Sequence, residues 1–155
     1  MRIRNATISD KEEIAKLLFE LLNVKDIEEA KQTFLRELKL GHRYIVLKKD
    51  NSVIGLVSWI LHGRPKHGLA ELYHIVTTKE QRGKGIGRML VNGLIGEANK
   101  EYNKYGSRLR KLFLLTRSNN EDAIKFYEKV GLRHETTLKS HFYEEKDELV
   151  MSRFF

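Results

Sequence analysis

The chain contains no cysteine, and proline occurs only once among its 155 residues. The absence of cysteine excludes disulfide bonds, thiolate metal ligands and a covalent thiol nucleophile. No apolar segment is long enough to cross a bilayer, since the longest, residues 53–61, is interrupted by Gly55 and Ser58. The N-terminus has no signal-peptide pattern. We therefore expect a cytoplasmic protein that folds as a single domain, residues 1–155, and has no membrane partner.

Positive charge is in excess, since 29 Lys and Arg residues against 21 Asp and Glu residues give a net charge of +8 at pH 7. The basic residues are scattered, without a run of five or more like charges, which disfavours nucleic acid as a partner. A basic surface also attracts small polyanions. A solvated lysine-rich surface is equally compatible with this composition.

The most specific local signal is a glycine-rich, basic segment, Gln-Arg-Gly-Lys-Gly-Ile-Gly at residues 81–87. An apolar strand pattern, residues 69–77, precedes it, and an amphipathic helix pattern follows it. Glycine lets the backbone approach a ligand closely, and the first N–H groups of a helix lack partners within the helix. Together with the cations Arg82, Lys84 and Arg88, this pattern predicts a binding site for phosphate or pyrophosphate.

Spacing separates three known phosphate-binding motifs. A P-loop requires Ser or Thr directly after Gly-Lys, whereas Gly83-Lys84 is followed here by Gly85. The dinucleotide motif G-x-G-x-x-G does not fit either, because the three glycines alternate strictly. A third pattern, [QR]-x-x-G-x-[GA], is matched by Arg82-Gly83-Lys84-Gly85-Ile86-Gly87.

With this motif the sequence resembles the GNAT superfamily of acyl-CoA-dependent N-acyltransferases. A second block, residues 120–132, is similar to the family's N-x-x-A-x-x-x-Y-x-x-x-G-F signature. The order and spacing of the two blocks also match. There are two small departures: Leu132 replaces the usual Phe, and Thr78 stands where many members carry Pro.

The order of predicted elements agrees with the resemblance, which implies an α/β fold with a mixed, twisted central sheet of about seven strands and helices on both faces. A capping box at residues 9–12 predicts the start of the first helix. Residues 62–68 are expected to form a polar loop. In the central helix, close packing on the sheet would explain why Gly93 and Gly96 are tolerated.

The resemblance implies acetyl-CoA as the cosubstrate. The strand residues would act through backbone groups, with the Val76 N–H as a candidate oxyanion donor, and the turn would hold the pyrophosphate. The residues implied to bind acetyl-CoA are Ile75, Val76, Thr77, Arg82, Gly83, Lys84, Gly85, Ile86, Gly87, Arg88, Asn120, Ala123 and Tyr127.

Two catalytic candidates follow from the resemblance. Tyr127 would protonate the departing CoA thiolate, since a phenol with a pKa of about 10 can act as an acid; the alternative is a core aromatic. Glu71 stands where some members carry a glutamate that deprotonates the amine; the alternative is an exposed charge. His74 is expected to be a sheet histidine with its hydrogen bonds satisfied; the alternative is a base. No metal site is expected, because His62 and His67 lack further ligands at metal-binding spacing.

The implied reaction moves an acetyl group to a primary amine of a protein or small molecule by direct attack, without a covalent intermediate. A non-catalytic CoA-binding or ligand-sensing module is the alternative. A homodimer is compatible with either. In this family the acceptor site is framed by the segment between the first two helices and by the last hairpin. Both are acidic here, which predicts a cationic amine: Glu20, Asp26, Glu28 and Glu29, then Glu144, Glu145, Asp147 and Glu148.

Overall fold

A computed structural model describes all residues, Met1–Phe155. Its strands are β1 Arg2–Asn5, β2 Arg43–Lys49, β3 Ser52–His62, β4 Leu69–Thr77, β5 Lys111–Arg117, β6 Arg133–Tyr143 and β7 Lys146–Phe154. Its helices are α1 Lys11–Leu21, α2 Ile27–Lys39, α3 Ile86–Asn103 and α4 Glu121–Lys129.

The seven strands form one mixed sheet in the order β1-β2-β3-β4-β5-β7-β6. Strands β4 and β5 run parallel, whereas the pairs β1–β2, β2–β3, β5–β7 and β6–β7 are antiparallel. This sheet and the four helices confirm the predicted α/β fold class. None of the helices is both long and apolar enough to span a membrane.

Contacts group the chain into two units, each built from two segments. The first comprises Met1–Ile60 and His74–Glu97, and the second comprises Leu61–Tyr73 and Ala98–Phe155. In the first unit, apolar residues of α1 and α2 pack on one face of β2 and β3. The Phe34 ring meets the Tyr44 ring edge-on, with centroids 4.8 Å apart, a favourable arrangement for two buried aromatic rings.

The hairpin between β2 and β3 turns at Asp50 and Asn51. Their φ angles of 51° and 67° are both positive, as a tight type I′ turn requires. Farther along β3, Gly55 permits a close approach of α3. A Cβ at Gly55 would lie 3.1 Å from Leu90 Cδ1 and 3.2 Å from both Ile86 Cγ2 and Thr77 Cγ2. The missing side chain therefore allows the first turn of α3 to lie directly on this strand.

The start of α1 differs from the prediction. A 3₁₀ turn, Ile8–Asp10, precedes the helix, and the Thr7 N–H donates to Asp10 Oδ2 at 2.9 Å. Both Arg4 Nη atoms lie 2.8 Å from the Asp10 carboxylate. The capping box therefore joins Thr7 and Asp10, and the box predicted at residues 9–12 is wrong. The hydrogen bonds from Arg4 are the main reason that the pKa of Asp10 falls to about 2.

The two glycines inside α3 have different surroundings. A Cβ at Gly93 would overlap Ile3 Cδ1 of β1, so close packing explains that residue. A Cβ at Gly96 would meet nothing within 4 Å. The packing explanation is thus confirmed for Gly93 and wrong for Gly96.

In the second unit, Gly68 joins the beginnings of β4 and β5. Its carbonyl accepts the N–H groups of Arg110 at 2.8 Å and Lys111 at 3.1 Å. Its φ is 57°, and a Cβ there would overlap the Arg108 carbonyl oxygen. The segment before Gly68 is more ordered than predicted, because β3 continues through His62 and a 3₁₀ turn follows at Pro65–His67.

Candidate active site

The end of β4 leads directly into the glycine-rich turn. Ile75 and Thr77 are half-buried, whereas Val76, between them, is buried on the opposite face. The next N–H, that of Thr78, donates to the Ile54 carbonyl at 2.9 Å. This bond fixes the point at which the chain leaves the sheet, and a 3₁₀ turn at Lys79–Gln81 follows.

The turn itself is open towards solvent. Gly83 and Gly85 have φ angles of 75° and 80°, and a Cβ at either position would meet nothing within 4 Å. The left-handed backbone conformation therefore explains why residues 83 and 85 are glycines, since a side chain at either position would not collide with neighbouring atoms. The Gly85 carbonyl accepts the Met89 N–H at 3.2 Å and so begins α3. None of the backbone N–H groups of residues 83–87 donates to a backbone carbonyl, so they remain available to a ligand.

Positive side chains surround these N–H groups. Arg82, Lys84 and Arg88 are all exposed, and no carboxylate of the chain pairs with Arg82 or Lys84. Ile86 is 1% exposed and anchors the turn to the core. A helix N-terminus with free N–H groups and the unpaired cations Arg82 and Lys84 is suited to the oxygen-rich, doubly charged pyrophosphate group. The structure places residues 82–88 in the turn and in the first residues of α3.

The second block forms α4 and its cap. Asn120 Oδ1 accepts the Ala123 N–H at 3.3 Å, so Asn120 is the N-cap of α4. Gly131, with a φ of 94°, ends the helix, and the Leu132 N–H donates to the Tyr127 carbonyl at 3.0 Å. Tyr127 is therefore held on the last turn of a helix that is fixed at both ends.

The Tyr127 side chain is partly buried, and its ring lies 5.5 Å from that of Phe126. Burial raises the pKa of Tyr127 to about 12. Its hydroxyl forms no hydrogen bond within the chain. A phenol that is kept protonated and lacks an internal partner is unusual for a purely structural tyrosine.

Glu71 has a partner that sequence reasoning missed. Its Oε1 lies 2.8 Å from His62 Nε2, and the two side chains are 16% and 41% exposed, respectively. The His62 ring lies 5.3 Å from that of Phe113, which is paired with Glu71 across the β4–β5 ladder. His62 is the last residue of β3 rather than part of a loop, so the pairing of strands brings it to Glu71.

His74, by contrast, is a buried, hydrogen-bonded histidine of the sheet. Its backbone N–H donates to Ser58 Oγ at 3.0 Å, and its Nε2 lies 3.1 Å from both carboxylate oxygens of Glu37. The Tyr44 hydroxyl donates to the same carboxylate at 2.6 Å. Burial opposes ionisation of Glu37, but the hydrogen bond and charge of His74, aided by Tyr44, outweigh it and lower the pKa of Glu37.

The acidic residues of the last hairpin are not equivalent. Glu144 and Glu145 are exposed in the turn between β6 and β7. Asp147 Oδ1 accepts the Ser140 N–H at 3.0 Å, and Glu148 is only 4% exposed. The prediction counts Glu148 with the acidic residues of this hairpin, but Glu148 lies within β7 opposite Arg117 and is withdrawn from solvent.

The acidic residues at the start of α2 have structural partners. Asp26 Oδ1 accepts the Glu29 N–H at 2.8 Å and caps the helix, and Glu29 Oε2 accepts the Lys25 N–H at 2.7 Å. Glu28 Oε1 accepts a hydrogen bond from Gln32 at 3.0 Å. Most of the negative charge predicted to frame the acceptor site at this end therefore stabilises α2 itself.

Comparison with known proteins agrees with the fold. The model of the acetyltransferase (GNAT) family matches residues 11–132. A comparison with curated protein sequences finds no match. A putative GNAT-family acetyltransferase from Desulfovibrio desulfuricans superposes with a TM-score of 0.80 at 17% identity, covering 99% of this chain and 98% of that one.

Two other solved structures are similar over nearly their whole length. The ribosomal-protein-alanine N-acetyltransferase of Brucella melitensis has a TM-score of 0.75 at 22% identity, with both chains fully covered. A mutant spermidine N-acetyltransferase of Vibrio cholerae has a TM-score of 0.77 at 23% identity, covering 99% of this chain and 95% of that one. At these identities the superpositions show a common fold.

The family match extends over both sequence blocks, and the observed turn has the geometry that the first block predicts. The chain belongs to the acetyltransferase (GNAT) family. It is thus an enzyme of the class that transfers acyl groups from acyl-CoA to amines.

Proposed function

We propose that this protein acetylates a cationic primary amine, with acetyl-CoA as the acetyl donor. The observation that carries the proposal is the open turn at residues 82–88, where free N–H groups and the unpaired cations Arg82 and Lys84 lie at the start of an 18-residue helix. In the proposal, this turn binds the pyrophosphate. The backbone of Ile75, Val76 and Thr77 contacts the pantetheine arm, with Asn120 and Ala123 as further contacts.

Tyr127 is proposed to protonate the sulfur as it departs. With a pKa raised to about 12, the phenol holds its proton throughout the working pH range. The same burial makes full proton transfer to a free thiolate less favourable. Transfer that accompanies carbon–sulfur bond cleavage avoids this cost, and a buried thiolate is itself more basic than one in water. The Val76 N–H is proposed to stabilise the carbonyl oxygen as negative charge develops on it.

The amine attacks the thioester directly in this proposal, since the chain has no cysteine to carry an acetyl group. Deprotonation of the amine is assigned to the neighbourhood of Glu71. Exposed Glu144 and Glu145 attract a cationic acceptor, either a protein N-terminus, a lysine side chain or a small amine. Two of the similar structures are a ribosomal-protein-alanine N-acetyltransferase and a spermidine N-acetyltransferase, and both names are compatible with this acceptor class.

Binding of CoA is tested by thermal unfolding. Ligand that binds only the folded state raises the melting temperature, so we expect a CoA-dependent increase for the wild type. Gly85→Glu places a negative side chain where the pyrophosphate would lie, and should abolish the increase. Gly106→Glu is the matched control, because Gly106 also has a positive φ, 72°, and nothing within 4 Å of a Cβ. An increase that persists in Gly85→Glu would contradict the assignment of the turn.

Transfer itself is tested with acetyl-CoA and a panel of small amines, polyamines, peptide N-termini and lysine peptides. Release of free CoA thiol together with acetylated product is the expected result for at least one amine. Binding of CoA without transfer to any member of the panel would instead support a non-catalytic CoA-binding module.

A further inference from the structure

The hydrogen bond between His62 and Glu71 suggests which group removes the proton from the acceptor amine. Glu71 Oε1 lies 2.8 Å from His62 Nε2. We infer that His62 is the general base of the reaction and that Glu71 is a positioning residue that orients its ring. The inference rests on the proposed amine acetylation, and it replaces Glu71 with His62 as the group that meets the amine.

Accessibility favours the imidazole over the carboxylate. The His62 side chain is 41% exposed, whereas the Glu71 side chain is 16% exposed. One oxygen of the Glu71 carboxylate is already hydrogen-bonded to the His62 ring. A general base must come within hydrogen-bond reach of the proton that it removes. An amine arriving from solvent therefore meets His62 first.

The direction of the hydrogen bond determines which ring nitrogen is basic. A carboxylate only accepts hydrogen bonds, so Nε2 of neutral His62 carries the hydrogen and Nδ1 holds the lone pair. Nδ1 makes no hydrogen bond within the chain. Phe113 limits rotation of the ring, with centroids 5.3 Å apart and an interplanar angle of 45°.

The step balances in protons and bonds. His62 Nδ1 accepts one proton from the ammonium group of the acceptor, which leaves a neutral amine. The amine nitrogen bonds to the acetyl carbon, the carbon–sulfur bond breaks with its electron pair going to sulfur, and Tyr127 donates a proton to sulfur. The second amine proton restores the Tyr127 phenol, and His62 returns its proton to water. Ammonium and thioester thus become amide, thiol and one free proton.

The decisive variant is His62→Ala, with His67→Ala as the matched control from the adjacent 3₁₀ turn. We expect His62→Ala to lower kcat at pH 7 by about 10- to 100-fold, with the CoA-dependent thermal shift unchanged. Imidazole added to the assay should restore part of this rate, because it can occupy the space of the missing ring. His67→Ala should keep the wild-type rate and should not respond to imidazole. Glu71→Gln should slow the reaction without rescue by imidazole.

A His62→Ala enzyme with the wild-type rate, or a slow one that imidazole does not rescue, would overturn the inference. Either result leaves the proposed function intact if the wild type acetylates an amine and Tyr127→Phe is slow. If the wild type acetylates no amine in the panel, the proposed function fails, and the role of His62 fails with it.

Discussion

Gly55 of β3 lies directly against Ile86, the first residue of α3, since a Cβ at Gly55 would be 3.2 Å from Ile86 Cγ2. The same point is 3.2 Å from Thr77 Cγ2, at the end of β4. One missing side chain therefore sets the position of both ends of the segment that contains the glycine-rich turn. The turn depends on β3, although no residue of β3 belongs to either sequence motif.

The first prediction concerns this contact. Gly55→Val should force Ile86 and Leu90 away from β3 and destabilise the fold by about 1–3 kcal/mol through overpacking. Urea unfolding measures the loss, and the CoA-dependent thermal shift should also shrink. Gly96→Ala is the control, because a Cβ there meets nothing within 4 Å. It should be neutral or stabilise by up to about 1 kcal/mol. Equal effects of the two variants would contradict the positional role of Gly55.

The second prediction concerns Tyr127. Tyr127→Phe should lower kcat by about 10- to 1000-fold with little change in CoA affinity, because only the proton donor is lost. Tyr105→Phe, at an exposed ring, should have no effect. Because the pKa of Tyr127 is about 12, its ionisation should cause no alkaline fall in rate below about pH 11. A fall centred near pH 10 that Tyr105→Phe retains would show that burial does not protect this phenol.

The third prediction is a loss of stability in acid that depends on Asp10. Its folded pKa of about 2 lies below its ordinary value of 3.8, so the unfolded chain takes up the proton first as pH falls. The stabilisation is present above about pH 4 and disappears towards pH 2, and amounts to about 2 kcal/mol. Asp10→Asn should flatten stability between these pH values in urea unfolding. Asp50→Asn, at an exposed turn, is the control and should keep the wild-type dependence of the unfolding free energy on pH. If Asp10→Asn also kept that dependence, Asp10 would not be the cause of the loss of stability in acid.

The fourth prediction concerns the acceptor. Reversing Glu144 and Glu145 to Lys should raise the KM for a cationic amine and leave the KM for acetyl-CoA nearly unchanged. Added salt should reduce the effect, because exposed charges are screened over about 10 Å at 0.1 M. Reversal of Glu12 and Glu128, on α1 and α4, changes the net charge equally and serves as the control. If the control variant raised the KM for the amine equally, the effect would depend on the total charge of the protein. The location of Glu144 and Glu145 would then have no special role.

The sequence was sufficient to predict the class of fold and the glycine-rich turn, because both depend on local patterns of residues. Strict spacing of glycines identified the turn, and the observed positive φ of Gly83 and Gly85 gives the reason for that spacing. Asn120 and Gly131 similarly marked the two ends of α4. In each case a backbone requirement acts within a few residues, so it leaves a readable signal in the sequence.

Features that depend on strand pairing could not be read in this way. His62 and Glu71 are nine residues apart, and they meet only because the chain reverses between β3 and β4. Glu148 was counted among the acidic residues predicted to frame the acceptor site, but its burial depends on its register opposite Arg117. The capping signal at residues 9–12 was displaced because Asp10 bonds to Thr7 and Arg4 instead. The raised pKa of Tyr127 likewise reflects burial, which has no local signature.

The bond between Gly68 and the start of β5 has a consequence for how the chain acquires its structure during synthesis. The Gly68 carbonyl accepts hydrogen bonds from the N–H groups of Arg110 and Lys111. Strand β4, which begins directly after Gly68, therefore cannot pair with its parallel neighbour β5 until about 40 further residues have been synthesised. Each unit is assembled from two separated stretches of chain, and contacts between distant residues form late in folding. A ribosome that has released only the first hundred residues therefore holds a chain that contains all of the first unit, including the glycine-rich turn, while β5 of the second unit is still missing. A nascent chain halted before Lys111 should accordingly remain protease-sensitive within residues 61–73.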